Sequence, residues 1–182
     1  KTELRHSLDV ANSLIKPLYD AANGNDAPEK TEAIALLKRL KYGKDGYYFG
    51  YDGNSVRVFS GSDTAKIGDS FQGYKDVNGV YLINDLVKQG KAGGGFVTYH
   101  FPRQGQGDTA YPKLSYAIWL EKWNLMIGTG FYIDNIDAAV GSARALSESY
   151  IHSTLMIVFG VALVLLLAIA LIVFILPNFT TS

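Results

Sequence analysis

The chain of 182 residues contains no cysteine, which excludes disulfides, thiolate metal sites and cysteine nucleophiles. It also lacks net charge. Seventeen basic residues balance 17 acidic ones, so bulk electrostatics favours neither nucleic acid nor an acidic partner. Histidine is scarce: His6, His100 and His152 fall on an expected helix, an expected strand and the edge of an apolar run, with no metal-ligand spacing. The glycine-rich segment Gly90-Lys91-Ala92-Gly93-Gly94-Gly95 lacks the Gly-Lys-Ser/Thr order of a phosphate loop and precedes a strand, so it reads as a flexible turn. No Gly-x-Ser-x-Gly elbow is present. These absences leave no catalytic residue, metal site or cofactor to assign, and no enzymatic activity is expected.

What the sequence does contain is one long apolar run. Residues 154–176 hold no charged side chain, and Thr154 is their one polar residue. As a helix they would extend about 34 Å, enough for a hydrocarbon core of about 30 Å. The run is apolar on all sides, unlike an amphipathic core helix. A C-terminal transmembrane helix is therefore expected over 154–176, ended by Pro177 and Asn178, with an output region beyond Ser182. Residues 177–182 carry no Lys or Arg, so charge does not orient it.

The remainder is expected to be one α+β domain. Leu4, Leu8, Ala11, Ile15, Leu18 and Ala22 recur at helical steps, predicting a helix over 2–22 that Pro17 kinks or divides. A second helix should begin near Pro28 with Asp26 as N-cap, show an Ala33, Ile34, Leu37 and Leu40 stripe, and end at Gly43. The texture then changes to strands: 46–51 and 55–60 around the hairpin signal Asp52-Gly53-Asn54, then 96–101, 114–120 and 123–133. A short helix is expected over 80–87, and Glu121-Lys122 should make a tight turn. The expected organisation is a helical region over 1–43, a five-stranded antiparallel sheet in meander order within 44–134, and a connecting helix over 135–153. Asp134 would cap that helix, which would run on into the membrane segment.

Aromatic residues concentrate between Tyr42 and Tyr132, interleaved with cations. Strand alternation puts Tyr47, Phe49 and Tyr51 on one face, Val97, Tyr99 and Phe101 on another, and Arg57 beside Phe59. Tyr51, Arg57 and Phe59 are taken from this geometry as candidate ligand-binding residues. A tyrosine hydroxyl can aim at a polar ligand, and a cation on an aromatic strand suits a carboxylate.

Several of these segments resemble single Cache (PAS-like) sensor domains. Gly46-Tyr47-Tyr48-Phe49-Gly50-Tyr51-Asp52 is similar to that family's GYFFVYD strand. Gly68, Lys75-Asp76-Val77-Asn78-Gly79 and Gly95-Phe96-Val97-x-Tyr99 follow its later pattern, and Pro112-Lys113-Leu114-Ser115-Tyr116 with Gly128-Thr129-Gly130-Phe131-Tyr132-Ile133-Asp134 its ending. The resemblance implies a long N-terminal helix packed on a PAS-like antiparallel sheet of about five strands. It also implies the periplasmic or extracellular part of an inner-membrane receptor, such as a bacterial methyl-accepting chemotaxis protein, kinase or cyclase. It suggests a short carboxylate ligand of the acetate, propionate, pyruvate or lactate type, with Tyr99, Lys113 and the nearby Tyr116 as pocket residues. Many members carry His-Pro where this chain has Ser60-Gly61, so a contact through that histidine is lost. An amine or amino-acid ligand is the second reading, with Asp76 as its acid. A membrane-tethered module that forms a homodimer through helix 2–22 without a ligand is the third.

Overall fold

Leu4, Leu8, Ala11 and Ile15 recur every three or four residues, and in the computed structural model they form the buried stripe of helix α1 (Thr2–Ala21). The structure describes residues 1–43, 46–134, 156–160, 162, 165–167 and 169. Pro17 lies inside α1 and does not divide it. So near the end of the helix, a proline removes one backbone hydrogen bond, and the last turn still closes through the Ala22 N–H on the Leu18 carbonyl. Helix α2 (Pro28–Arg39) follows, and it corrects the assignment of Asp26 as cap. Ala27 occupies the N-cap position with extended backbone. Pro28 disfavours helical backbone in the residue before it, so the helix begins at the proline itself.

The strands are β1 (Lys41–Tyr42), β2 (Gly46–Asp52), β3 (Arg57–Ser60), β4 (Gly95–Pro102), β5 (Ala110–Leu120) and β6 (Leu125–Tyr132), with helix α3 (Leu82–Lys91) ahead of β4. Their order is β1-β2-β6-β5-β4, with β3 also on β2, and every pairing is antiparallel. The expected meander is thus corrected: β6 inserts between β2 and β5. Shape complementarity explains the pairing. Tyr47 and Phe49 of β2 stand opposite Gly130 and Gly128 of β6, and a Cβ on Gly128 would lie 2.7 Å from the Phe49 ring. The β5–β6 link is a turn of 3₁₀ helix (Glu121–Trp123) closed by Asn124 in the left-handed region, so Trp123 precedes β6 rather than starting it.

The sheet separates two cores. On one face α1 and α2 cover Tyr48, Phe59, Tyr116, Trp123, Leu125 and Ile127. On the other, α3 and the segment after β3 cover Tyr47, Phe49, Tyr51, Tyr99, Ala117 and Met126. Residues 1–134 form one compact unit and 135–182 a second. The expected connecting helix over 135–153 lies outside the described residues, as does most of the expected membrane helix over 154–176. The described positions between 156 and 169 are helical and exposed. Among the described residues, no helix is long and apolar enough to cross a membrane.

Candidate ligand-binding site

Strand alternation on the α3 face brings Tyr47, Phe49 and Tyr51 of β2, Tyr99 and Phe101 of β4 and Lys113 of β5 around one small cavity, closed by Ser60 of β3 and Ile83 of α3. The cavity measures about 10 Å³, room for about one water molecule. It is flanked by a cleft of about 170 Å³ that shares Tyr47 and reaches Lys41, and by one of about 200 Å³ that shares Ser60 and Phe101 and reaches Arg57 and Lys66.

Lys113 is the central group. It is 1% exposed, its ammonium donates to the Tyr47 hydroxyl at 2.8 Å, and it sits 4.2 Å from the Tyr47 ring centroid and 5.1 Å from that of Tyr132. Among the described residues no carboxylate pairs with it. Burial lowers its pKa from 10.5 to about 8. Glycine makes its position possible: a Cβ at Gly130 would come within 3.1 Å of Lys113 Cε and closer still to Ser115 Oγ and the Leu114 carbonyl. Around it the phenols are held protonated. Burial pushes Tyr47 and Tyr51 up to about 12 and Tyr99 well above its ordinary value. Tyr99 and Ser115 share a hydrogen bond of 3.0 Å.

Arg57, 4% exposed, is a second buried cation. Its Nε donates to the Tyr51 hydroxyl (3.1 Å) and its Nη1 to the Ala65 carbonyl (3.0 Å), and its guanidinium stacks 4.5 Å from the Phe71 ring. The site therefore presents positive charge and hydroxyl groups, an arrangement that solvates an anion.

Of the residues expected in the site, the structure brings Tyr51, Tyr99, Lys113 and Arg57 together, Arg57 at its margin. Tyr116 and Phe59 lie on the opposite face. Tyr116 is three residues from Lys113, so alternation turns it toward α1, where the Arg5 guanidinium lies 5.5 Å from its ring. Phe59 is displaced by a bulge. Tyr51 pairs with Arg57 while Gly50 pairs with Phe59, so the extra residue Val58 sends positions 57 and 59 to opposite faces. Asp76 is committed elsewhere: Oδ1 accepts the Asn78 and Val80 N–H groups, and Oδ2 accepts the His100 N–H at 2.7 Å. His100 also meets the Asn78 side chain at 2.9 Å.

Sequence reasoning passes over Tyr47, Ser60, Tyr132 and Arg103, which the structure places around the cavity and its clefts. Tyr47 was within reach, since it alternates with Tyr51 on one strand face. Tyr132 required the β5–β6 register, in which it faces Lys113.

An α+β domain whose antiparallel sheet is backed by a long helix on one face and closes a small cavity on the other has the architecture of a Cache sensor domain. The chain belongs to the single Cache family: the Single Cache domain 2 model matches residues 1–145. It is 38% identical over 166 residues to the methyl-accepting chemotaxis protein CtpM of Pseudomonas aeruginosa, a match covering 91% of this chain and 30% of that protein. A solved methyl-accepting chemotaxis protein from Vibrio parahaemolyticus superposes with a TM-score of 0.68 at 33% identity, covering 75% of this chain and 90% of the other. A Cache chemosensory domain solved for its recognition of carboxylic acids superposes at 0.65 with 23% identity, covering 73% and 92%, and shares the fold.

Proposed function

We propose that this Cache domain is the extracytoplasmic sensor of an inner-membrane chemoreceptor and that it binds a short carboxylate of the acetate, propionate, pyruvate or lactate type. The observation that carries the reading is Lys113: a fully buried ammonium surrounded by rings and hydroxyls, with no acidic partner among the described residues. A buried charge without a counter-ion is costly, and an incoming carboxylate supplies one through charge-assisted hydrogen bonds. The amine reading is less favoured, because Asp76 already accepts three backbone N–H groups away from the cavity.

A cavity of about 10 Å³ is too small for acetate as it stands, so its lining side chains must move and binding and rearrangement go together. We assign the rearrangement's output to the chain that continues through 135–153 into the apolar run 154–176, with residues 1–43 and 44–134 as the helical and sheet parts of the sensor. The exposed Val10 and Leu14 of α1 give the N-terminal helix an apolar outer face suited to a homodimer. No reaction is assigned to the domain.

The test is a thermal-shift and calorimetric screen of small organic acids and amines. Ligands that bind the folded state raise Tm. Short acids should do so for the wild type and not for Lys113→Met. Acid binding that survives Lys113→Met would sink the proposal.

A further inference from the structure

The loop of residues 103–109 between β4 and β5 borders both clefts that lead to the Lys113 cavity: Arg103 and Gln104 line each of them. Gln104 and Arg103 both fasten this loop. Gln104 Nε2 donates to the Ser60 carbonyl at 3.1 Å and meets its hydroxyl at 3.2 Å, closing the loop onto β3 beside the cavity wall. Arg103 Nη2 donates to Asp134 Oδ1 at 2.6 Å, and its guanidinium lies against the rings of Tyr132 (4.3 Å) and Tyr111 (5.0 Å). Between the two glycines of the loop, Gly105 and Gly107, both at φ 75°, the backbone can re-aim at little steric cost.

Asp134 is the last residue of the first compact unit, two positions after Tyr132. Tyr132 is itself tied to both partners. Its ring faces Lys113, and its hydroxyl donates to the Pro102 carbonyl at 2.7 Å, at the root of the loop. One short stretch, Tyr132 to Asp134, therefore touches the buried ammonium, the loop root and the loop arginine.

We propose that the 103–109 loop is the gate of the Lys113 cavity and that the Arg103–Asp134 ion pair couples the gate to the end of β6, so that admitting a ligand and loosening Asp134 are one event. The coupling rests on the carboxylate-sensor reading only for what opens the gate; the mechanical link is a property of the ligand-free domain. A carboxylate that draws Lys113 away from Tyr47 and Tyr132 must pass Gln104 and Arg103. Displacing the loop moves Arg103, the partner of Asp134 Oδ1. The position of the gate is thereby reported where the chain leaves the domain.

Hydrogen exchange of the 182-residue chain in nanodiscs tests this, using Asp134→Asn and Arg103→Met. Without any acid, Asp134→Asn should speed exchange of the 103–109 amides about tenfold, the effect expected for loss of a charge-assisted hydrogen bond. Arg103→Met, which keeps an apolar side chain against the two rings, should do the same. With saturating acetate, propionate, pyruvate or lactate, whichever binds, the wild type should change at 103–109 and at Tyr132–Asp134 together. Asp134→Asn should tighten the Kd by up to about tenfold, because binding no longer breaks the ion pair, while the Tyr132–Asp134 response disappears. Unchanged loop exchange in both ligand-free variants would overturn the coupling, and so would a persistent Tyr132–Asp134 response in Asp134→Asn. If no acid binds the wild type, the carboxylate reading fails, and the ligand-free comparison still decides the gate.

Discussion

Raising the pH from 7 to 9 should weaken carboxylate binding about tenfold, and the reason is one side chain. Lys113 is buried to 1% exposure with a pKa of about 8 in place of 10.5. Its ammonium is then about 90% charged at pH 7 and about 10% at pH 9. A carboxylate that docks on the ammonium selects the charged form, so Kd should rise by a factor of about 10, or about 1.4 kcal/mol. The groups facing Lys113 do not compete in this range. Tyr47 and Tyr51 titrate near 12, and burial holds Tyr99 and Tyr132 above their ordinary value. Because a bound anion favours the ammonium, binding should also take up a proton near pH 8. Calorimetry in two buffers of different ionisation enthalpy measures both effects. A Kd that is the same at pH 7 and pH 9, with no proton uptake at pH 8, would refute Lys113 as the anion's partner. The ligand-free domain carries the matching signature. Its folded-state pKa lies below the unfolded value, so a penalty of about 3 kcal/mol is present in full below pH 8 and is relieved as pH rises toward 10.5. Stability at equilibrium should therefore increase, not fall, across that window as far as Lys113 governs it.

Other expectations follow from the two faces of the sheet. Lys113→Met should abolish acid binding and raise the ligand-free Tm, since it removes a buried uncompensated charge from a ring-lined position; a lower Tm would contradict the burial argument. Tyr116→Phe should leave the Kd within about twofold, because that hydroxyl lies on the α1 face; a tenfold loss would return Tyr116 to the site. Gly130→Ala should weaken binding and destabilise the fold by about 1–3 kcal/mol in denaturant titration, as its methyl meets the Ser115 side chain and the Leu114 carbonyl. Asp76→Ala should cost about 2–4 kcal/mol of stability by orphaning backbone N–H groups, without changing ligand selectivity.

Local chemistry was legible wherever a period or a turn signal sets it. The α1 stripe, the Asp52-Gly53-Asn54 hairpin and the aromatic strands emerge from spacing alone, and Lys113, Tyr99 and Tyr51 could be named from alternation and family likeness. Three features were not legible, each because it depends on residues distant in sequence. The place of β6 between β2 and β5 depends on glycines meeting rings across strands about 80 positions apart. The bulge at Val58 flips Phe59 away from Arg57, and no residue type announces it. Asp76 reads as the acid of an amine site, whereas its Oδ2 is committed to a strand 24 residues away.

That commitment has a consequence for how the sheet ends. Strand β4 is outermost, with β5 on one side only. The N–H of His100 points outward to Asp76, and period two puts the amide positions of residues 96, 98 and 102 on the same side. Residue 102 is proline and has no hydrogen to give, and the amide of residue 100 is occupied. Only residues 96 and 98 could still recruit a foreign strand, too short a row to template one. The aspartate that resembled a ligand contact thus removes the middle donor from the row that an incoming strand would need.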